Sequence, residues 1–243
     1  MTAPPPFASV YFDCDSTLSA IEGVDELITF APPELAADIA DLTRRAMDGE
    51  LPLAQVYESR LAALSPRRDQ LEQVGRVYCE RVTEHARELV AALRTLGKEV
   101  GIVSGGLLPP VQVLAQHLGI DQDRVHAVPI QFDDDGNYRD FDRTSPLWQN
   151  HGKVEVLRQL PDEQRPVAFV GDGVTDLEVQ GTAADLFVGY GGTVARAAVK
   201  EQAEAWFETR SLAPALRWLL TDAERRTLGT STEFASLLSA ARS

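Results

Sequence analysis

Ser9-Val-Tyr-Phe-Asp-Cys-Asp-Ser-Thr-Leu18 is the stretch whose reading decides the fold. A short apolar run of the kind that forms a buried strand ends abruptly in Asp13 and Asp15, with Ser16 and Thr17 directly after. Carboxylates at the carboxyl end of a parallel strand lie in the crevice where open α/β sheets bind ligands. Two acids two residues apart on an extended chain point to one side of it. That placement suits them either to bind a hard cation such as Mg²⁺ or to divide nucleophile and acid/base roles.

Three further stretches repeat the pattern. Ile102-Val-Ser-Gly-Gly106 follows a second apolar run, Lys153 opens a helix-like segment, and Val167-Ala-Phe-Val-Gly-Asp-Gly-Val-Thr-Asp176 is a third strand ending in acids. Each is weak alone; their order and spacing are informative. Together they resemble the four motifs of the haloacid dehalogenase superfamily of phosphohydrolases, over roughly residues 8 to 220. Within it, Arg44-Arg-Ala-Met47 and Arg60 are similar to the phosphoserine-hydrolysing branch, as are Glu22-Gly-Val-Asp-Glu-Leu27 and Phe187-Val-Gly-Tyr-Gly-Gly192.

The resemblance implies an α/β fold with a Rossmann-like parallel sheet core, residues 1 to 19 and 85 to 220, and an inserted helical cap over 20 to 84. It implies Mg²⁺-dependent hydrolysis of a small phosphomonoester, O-phosphoserine in the first place, in L-serine biosynthesis. Asp13 would be the nucleophile and Asp15 the general acid and base. Mg²⁺ would be held by Asp13, Asp172 and the backbone carbonyl of Asp15, with Asp176 behind them. Lys153, Ser104, the Gly105 amide and Thr175 would hold the phosphate side of the substrate. On the cap side, Arg60 would grip the substrate carboxylate and Glu22 its ammonium group, with Met47 alongside. Leu53 stands where a Phe is frequent, Leu107-Leu108 where Phe and a polar residue are common, and Thr83-Glu-His-Ala86 where Thr-Pro-Gly is usual. The same chemistry on another small phosphorylated amino acid, alcohol or sugar acid is the alternative. A catalytically silent, metal-bound interaction protein is the reading from another class, disfavoured because Asp13, Asp15, Lys153 and Asp172 are all present.

Composition fits this frame. The 243 residues suit one large domain or a core with an inserted cap, and 44% hydrophobic with 25% charged residues is ordinary for a globular chain. A net charge of −14 argues against nucleic acid or an anionic membrane as partner, so any positive charge that meets an anionic substrate must be concentrated locally. Nothing approaches a membrane span, the N-terminus lacks a signal-peptide pattern, and two cysteines make no disulfide framework; a reducing cytoplasm is expected. Neither thiol suits the rival phosphatase chemistry in which an Arg follows the Cys by six positions, since those positions hold Ala20 and His85. Cys14 is expected to point into the sheet as a small hydrophobe.

Outward from the first strand, Leu35, Ile39, Leu42 and Ala46, then Leu53, Val56, Tyr57, Leu61 and Leu64, form helical stripes. Ser65-Pro66 predicts the cap and first turn of a further helix reaching Val77, giving about four helices in the insert. Thr83 is expected to cap a helix with the stripe Ala86, Leu89, Val90 and Leu93 that stops at Gly97. Residues 125 to 142 are expected to form a hairpin around Asp133-Asp-Asp-Gly-Asn137, 149 to 160 a helix, and 205 to 208 an edge strand. Residues 221 to 243 read as a polar helical tail.

Overall fold

The computed structural model describes residues 6–47 and 53–242, with the side chains of residues 40, 43–47 and 53 outside the description. Six parallel strands form the central sheet: β1 (Ser9–Phe12), β2 (Glu99–Leu107), β3 (Val125–Val128), then β6 (Val167–Gly171), β7 (Leu186–Tyr190) and β8 (Ala205–Phe207). Their spatial order is β3-β2-β1-β6-β7-β8, so the order reverses at β1, which pairs with β2 on one side and β6 on the other. This is the Rossmann-type arrangement, and its ligand crevice lies where the order reverses. The inner strands are buried on both faces, as their unbroken apolar runs require.

Register brings the functional ends together. Phe12 lies opposite both Ile102 and Val170, and the Asp13 amide donates to the Val170 carbonyl at 2.9 Å. Asp13, Ser104 and Asp172, each one or two residues beyond those partners, therefore emerge on the same edge.

The chain leaves β1 through a wide turn closed by Ser19 N–H to the Cys14 carbonyl at 3.1 Å, with Ser16 at φ +54°. Four helices follow: α1 (Gly23–Ile28), α2 (Pro33–Met47), α3 (Leu53–Leu64) and α4 (Arg68–Glu80). The way out of this insert lies beside the way in, with Ala20 N–H on the Arg81 carbonyl at 2.8 Å and Thr83 N–H on the Leu18 carbonyl at 2.9 Å. The insert also rests on β4 (Ile130–Phe132) and β5 (Tyr138–Phe141), an antiparallel pair separate from the main sheet. Arg68 N–H donates to Gly136 O at 2.9 Å, Glu58 meets Arg143 at 3.0 Å, and Tyr57 packs edge-on against Phe141 with ring centres 5.5 Å apart.

Several local expectations are corrected. The hairpin is shorter than 125–142, because Val125–Val128 adds to the main sheet as β3 and only β4 and β5 pair with each other. Ser65 and Pro66 lie before α4; Ser65, at φ +40°, donates its hydroxyl to the Ala62 carbonyl, and Gln70 Oε1 accepts from Arg67 N–H at the helix start. Thr83 does not cap α5 (Ala86–Thr95): its hydroxyl donates to Thr17 O at 2.6 Å and so ties the way out of the insert to the turn after β1. After α6 (Leu108–Leu118) and the hairpin, the segment expected to be helical from 149 to 160 narrows to α7 (Gly152–Arg158), since His151 is left-handed at φ +64°. Short helices α8 (Val174–Leu177), α9 (Ala197–Gln202) and α10 (Leu216–Leu219) complete the core. The tail, α11 (Asp222–Leu228) and α12 (Ala235–Ala240), is docked rather than loose: Leu228, Phe234 and Leu237 are buried, and buried Lys98 pairs with Glu224 at 2.5 Å.

Candidate active site

The acids sit crowded at the strand ends. Asp13, Asp172 and Asp176 are buried, and one oxygen from each lies within 4.8 Å of the others. Such crowding needs positive charge. Lys153, brought in by the first turn of α7 and itself buried, sits 2.8 Å from Asp13 Oδ1 and also pairs closely with Asp176 Oδ1. Burial alone would lower the lysine pKa, but Asp13 and Asp176 outweigh it and hold the ammonium firmly charged. Asp172 is pushed up by burial and by Asp176 and Asp13, against the pull of Arg196. Asp176 is likewise pushed up by burial and Asp13; its other oxygen accepts from Gly173 N–H at 2.8 Å, so both its oxygens are engaged inside the protein.

Asp15 faces a different way. Its Oδ1 accepts from Gly23 N–H and from the Tyr78 hydroxyl, both at 2.6 Å, and both donors belong to the insert. Burial, then Glu22 and Asp13, raise its pKa against those two hydrogen bonds. Its Oδ2 lies beside Gly106, where a Cβ would approach it to 2.9 Å, so the backbone passes this close only as glycine. Ser104 Oγ accepts from Gly106 N–H at 3.0 Å, which orients the hydroxyl next to the same spot.

A cavity of about 760 Å³ opens between insert and sheet edge and is lined by Asp13, Asp15, Glu22, Arg60, Ser104, Gly105, Lys153, Asp172 and Thr175. All but two of the residues expected from sequence thus meet in one place. Asp176 sits behind the lining, bonded to Lys153, and the side chain of Met47 lies outside the described residues. Glu22 accepts from Ser16 Oγ at 2.6 Å, and burial raises its pKa. Arg60 enters from α3; burial lowers its pKa while Asp25, Tyr57 and Glu22 raise it. Leu107 lines the same wall.

Four contributors were not anticipated from sequence. Arg196 donates to Asp172 Oδ2 at 3.0 Å and reaches Glu22 Oε1 at 3.5 Å, joining core to insert. Thr17 donates to Asp172 Oδ1 at 3.1 Å. Tyr78 holds Asp15, as above. Trp148 packs edge-on against Phe141 and tilted against Tyr57, and with Tyr57 and Arg60 it lines the cavity. Thr17 lies within the first motif, and Trp148 and Arg196 lie within five residues of Lys153 and of Phe187–Gly192, so proximity was their available signal; Tyr78 had only its place in the α4 stripe.

The donor set can be tested against a metal. Three buried carboxylates with oxygens within 4.8 Å of each other offer only hard oxygen ligands, the set that Mg²⁺ takes, and their mutual repulsion is what a divalent cation relieves. The residues fit such an ion.

A family profile described as haloacid dehalogenase-like hydrolase matches residues 10–179. The phosphoserine phosphatase of Mus musculus is 37% identical over 203 residues, covering 83% of this chain and 88% of that protein. The chloroplastic phosphoserine phosphatase of Arabidopsis thaliana is 33% identical over 199 residues, covering 81% and 67%. Among solved structures, a substrate-bound phosphoserine phosphatase complex superposes with a TM-score of 0.72 at 25% identity, covering 89% of this chain and 100% of that one. A phospho-aspartyl intermediate analogue of phosphoserine phosphatase gives 0.69 at 26%, with the same coverage.

Proposed function

We propose, from the premise that the chain belongs to the haloacid dehalogenase-like hydrolase family, that it hydrolyses O-phosphoserine to serine and phosphate through an aspartyl phosphate on Asp13. The observation that carries the reading is the convergence of Asp13, Lys153, Ser104 and Asp172 on the sheet edge where the strand order reverses, with Asp15 facing them from the turn after β1.

Asp13 attacks phosphorus in line with the ester oxygen; the phosphorus–oxygen ester bond breaks and its electron pair leaves with the serine oxygen, which takes a proton from Asp15. Asp15, now a carboxylate, then accepts a proton from the water that attacks the phosphoenzyme, and Asp13 is released. Lys153, 2.8 Å from Asp13 Oδ1, holds negative phosphate oxygens near the attacking carboxylate. Ser104 and the Gly105 amide are neutral donors to the same oxygens, and Thr175 borders them. When bound to Asp13, Asp172 and the Asp15 carbonyl, with Asp176 behind, Mg²⁺ supplies positive charge against the transferring phosphoryl group. Arg60 takes the substrate carboxylate and Glu22 its ammonium group, which assigns substrate choice to residues 20–84, read as a cap, and phosphoryl transfer to the core.

A cytoplasmic setting belongs to the same reading. Cys14 and Cys79 are free thiols, and no helix among the described residues is long and apolar enough to cross a membrane.

The test is phosphate release from phosphoserine, phosphothreonine, phosphoethanolamine and phosphoglycerate, with Mg²⁺ and with excess chelator. Phosphoserine should lead in kcat/KM by roughly tenfold or more, the discrimination a site built on paired charges affords. A better ester in the panel would transfer the assignment to that substrate, and full activity in chelator would remove the metal.

A further inference from the structure

Tyr78 occupies a position where the fold asks only for an apolar residue. It continues the buried stripe of Leu71 and Val74 along α4 and is 1% exposed. A Phe would fill the same space. A buried hydroxyl is costly unless it is hydrogen-bonded, and this one reaches 63 residues back along the chain to Asp15 Oδ1, at 2.6 Å. Room for it exists because residue 23 is glycine: a Cβ there would sit 2.1 Å from the Tyr78 oxygen. The same glycine gives its N–H to the same carboxylate oxygen. Gly23 and Tyr78 thus form a matched pair of donors, both on the insert, aimed at one oxygen of the core acid.

We infer that Tyr78 is a positioning residue that, together with the Gly23 N–H, anchors the Asp15 carboxyl through Oδ1 and so holds Oδ2 beside Gly106 at the cavity wall. The inference rests on Asp15 being the general acid of the proposed reaction. Both hydrogen bonds fall on Oδ1, which fixes the plane of the carboxyl group. Oδ2 is thereby held beside Gly106 at the cavity wall. When the phosphorus–oxygen bond breaks, Asp15 gives its proton to the serine oxygen, and the negative charge left on the carboxylate is shared with an oxygen already holding two hydrogen bonds. Because both donors come from residues 20–84, the acid is set for proton transfer only while the insert is seated on the sheet edge.

The leaving group separates this role from a packing role. Serine leaves as an alkoxide that needs a proton, whereas p-nitrophenyl phosphate releases a stable phenolate that does not. Tyr78→Phe should lower kcat/KM for phosphoserine, which reports the step in which serine leaves, on the order of 10- to 100-fold, the loss of one hydrogen bond to a charged group. On p-nitrophenyl phosphate the loss should be several-fold smaller, and across a series of phosphate esters the rate of the variant should depend more steeply on leaving-group quality. Retained cooperative melting establishes that the variant is folded. Equal losses on both esters, or no loss at all, would overturn the inference. Asp15→Asn, assayed in parallel, tells its failure from that of the mechanism. If Asp15→Asn shows the leaving-group signature and Tyr78→Phe does not, Tyr78 has no such role and the general acid stands. If neither shows it, Asp15 is not the acid, and the role of Tyr78 falls with it.

Discussion

Arg60→Ala is the substitution that separates substrate choice from the shared chemistry. Arg60 projects from α3 into the cavity, where burial lowers its pKa and the nearby acids Asp25, Glu22 and Asp15 raise it, so its charge acts in a setting much drier than bulk water. Two unit charges about 4 Å apart at an effective dielectric of about 20 attract by about 4 kcal/mol. Stripping water from the substrate carboxylate and ordering the side chain offset part of this, leaving on the order of 2 to 4 kcal/mol for a closed charge pair. In kcat/KM for phosphoserine that is a loss of roughly 30- to 1000-fold. Phosphoethanolamine lacks the carboxylate; it should be a poor substrate of the unaltered protein and lose less than about threefold in the variant. Arg60→Lys should recover only part of the loss, since an ammonium lacks the planar fork. The assay is steady-state phosphate release for each protein with each ester. Equal losses on both substrates would refute the carboxylate contact and make Arg60 a residue of the insert's packing.

Asp13→Asn should abolish turnover and, with it, any acid-stable phosphoenzyme recovered by rapid quench, because an amide cannot act as the attacking carboxylate; near-normal turnover would mean that water attacks phosphorus directly. Glu224→Gln tests the docked tail. Burial raises the Glu224 pKa, but the hydrogen bonds from Lys98 and Thr221 outweigh it and leave it lowered. A carboxyl depressed in the folded state stabilises above its unfolded pKa, and that stability is lost as pH falls through the folded value. Urea unfolding should therefore show a deficit of about 1.5 to 3 kcal/mol for the variant at neutral pH, closing below about pH 4; a deficit that stays constant down to acid pH would disprove the charge pairing.

The core and its acids were legible because local signals and tertiary placement coincide there. An apolar run that stops at Asp13 or Asp172 marks a strand end, and parallel register then carries those ends to one edge without further information. Helices were equally readable from spacing, though their starts were not. Ser65-Pro66 and Thr83 are good cap residues by type, yet Ser65 turns left-handed and the Thr83 hydroxyl is drawn to Thr17 O, a partner made available only by the folded chain. Tyr78 and Arg196 escaped for a related reason: Tyr78 reads as one more apolar residue of its stripe while its hydroxyl partner Asp15 is 63 residues away, and Arg196 meets Asp172 and Glu22 only across 24 and 174 residues. The tail read as polar because its buried residues, Leu228, Phe234 and Leu237, straddle a break between two short helices and so follow no single period.

The paired crossing at Ser19 and Val82, where the chain enters and leaves the insert within one bridge, makes that insert exchangeable. Closing the core without it would require joining two points already adjacent, so the loop-closure term that normally penalises large insertions changes little with their length. A longer or shorter insert would therefore leave Asp13, Lys153 and Asp172 where the core places them. The Asp15 contacts to Tyr78 and Gly23 set the limit on that freedom, because a replacement insert must still present donors to the one core acid that depends on it.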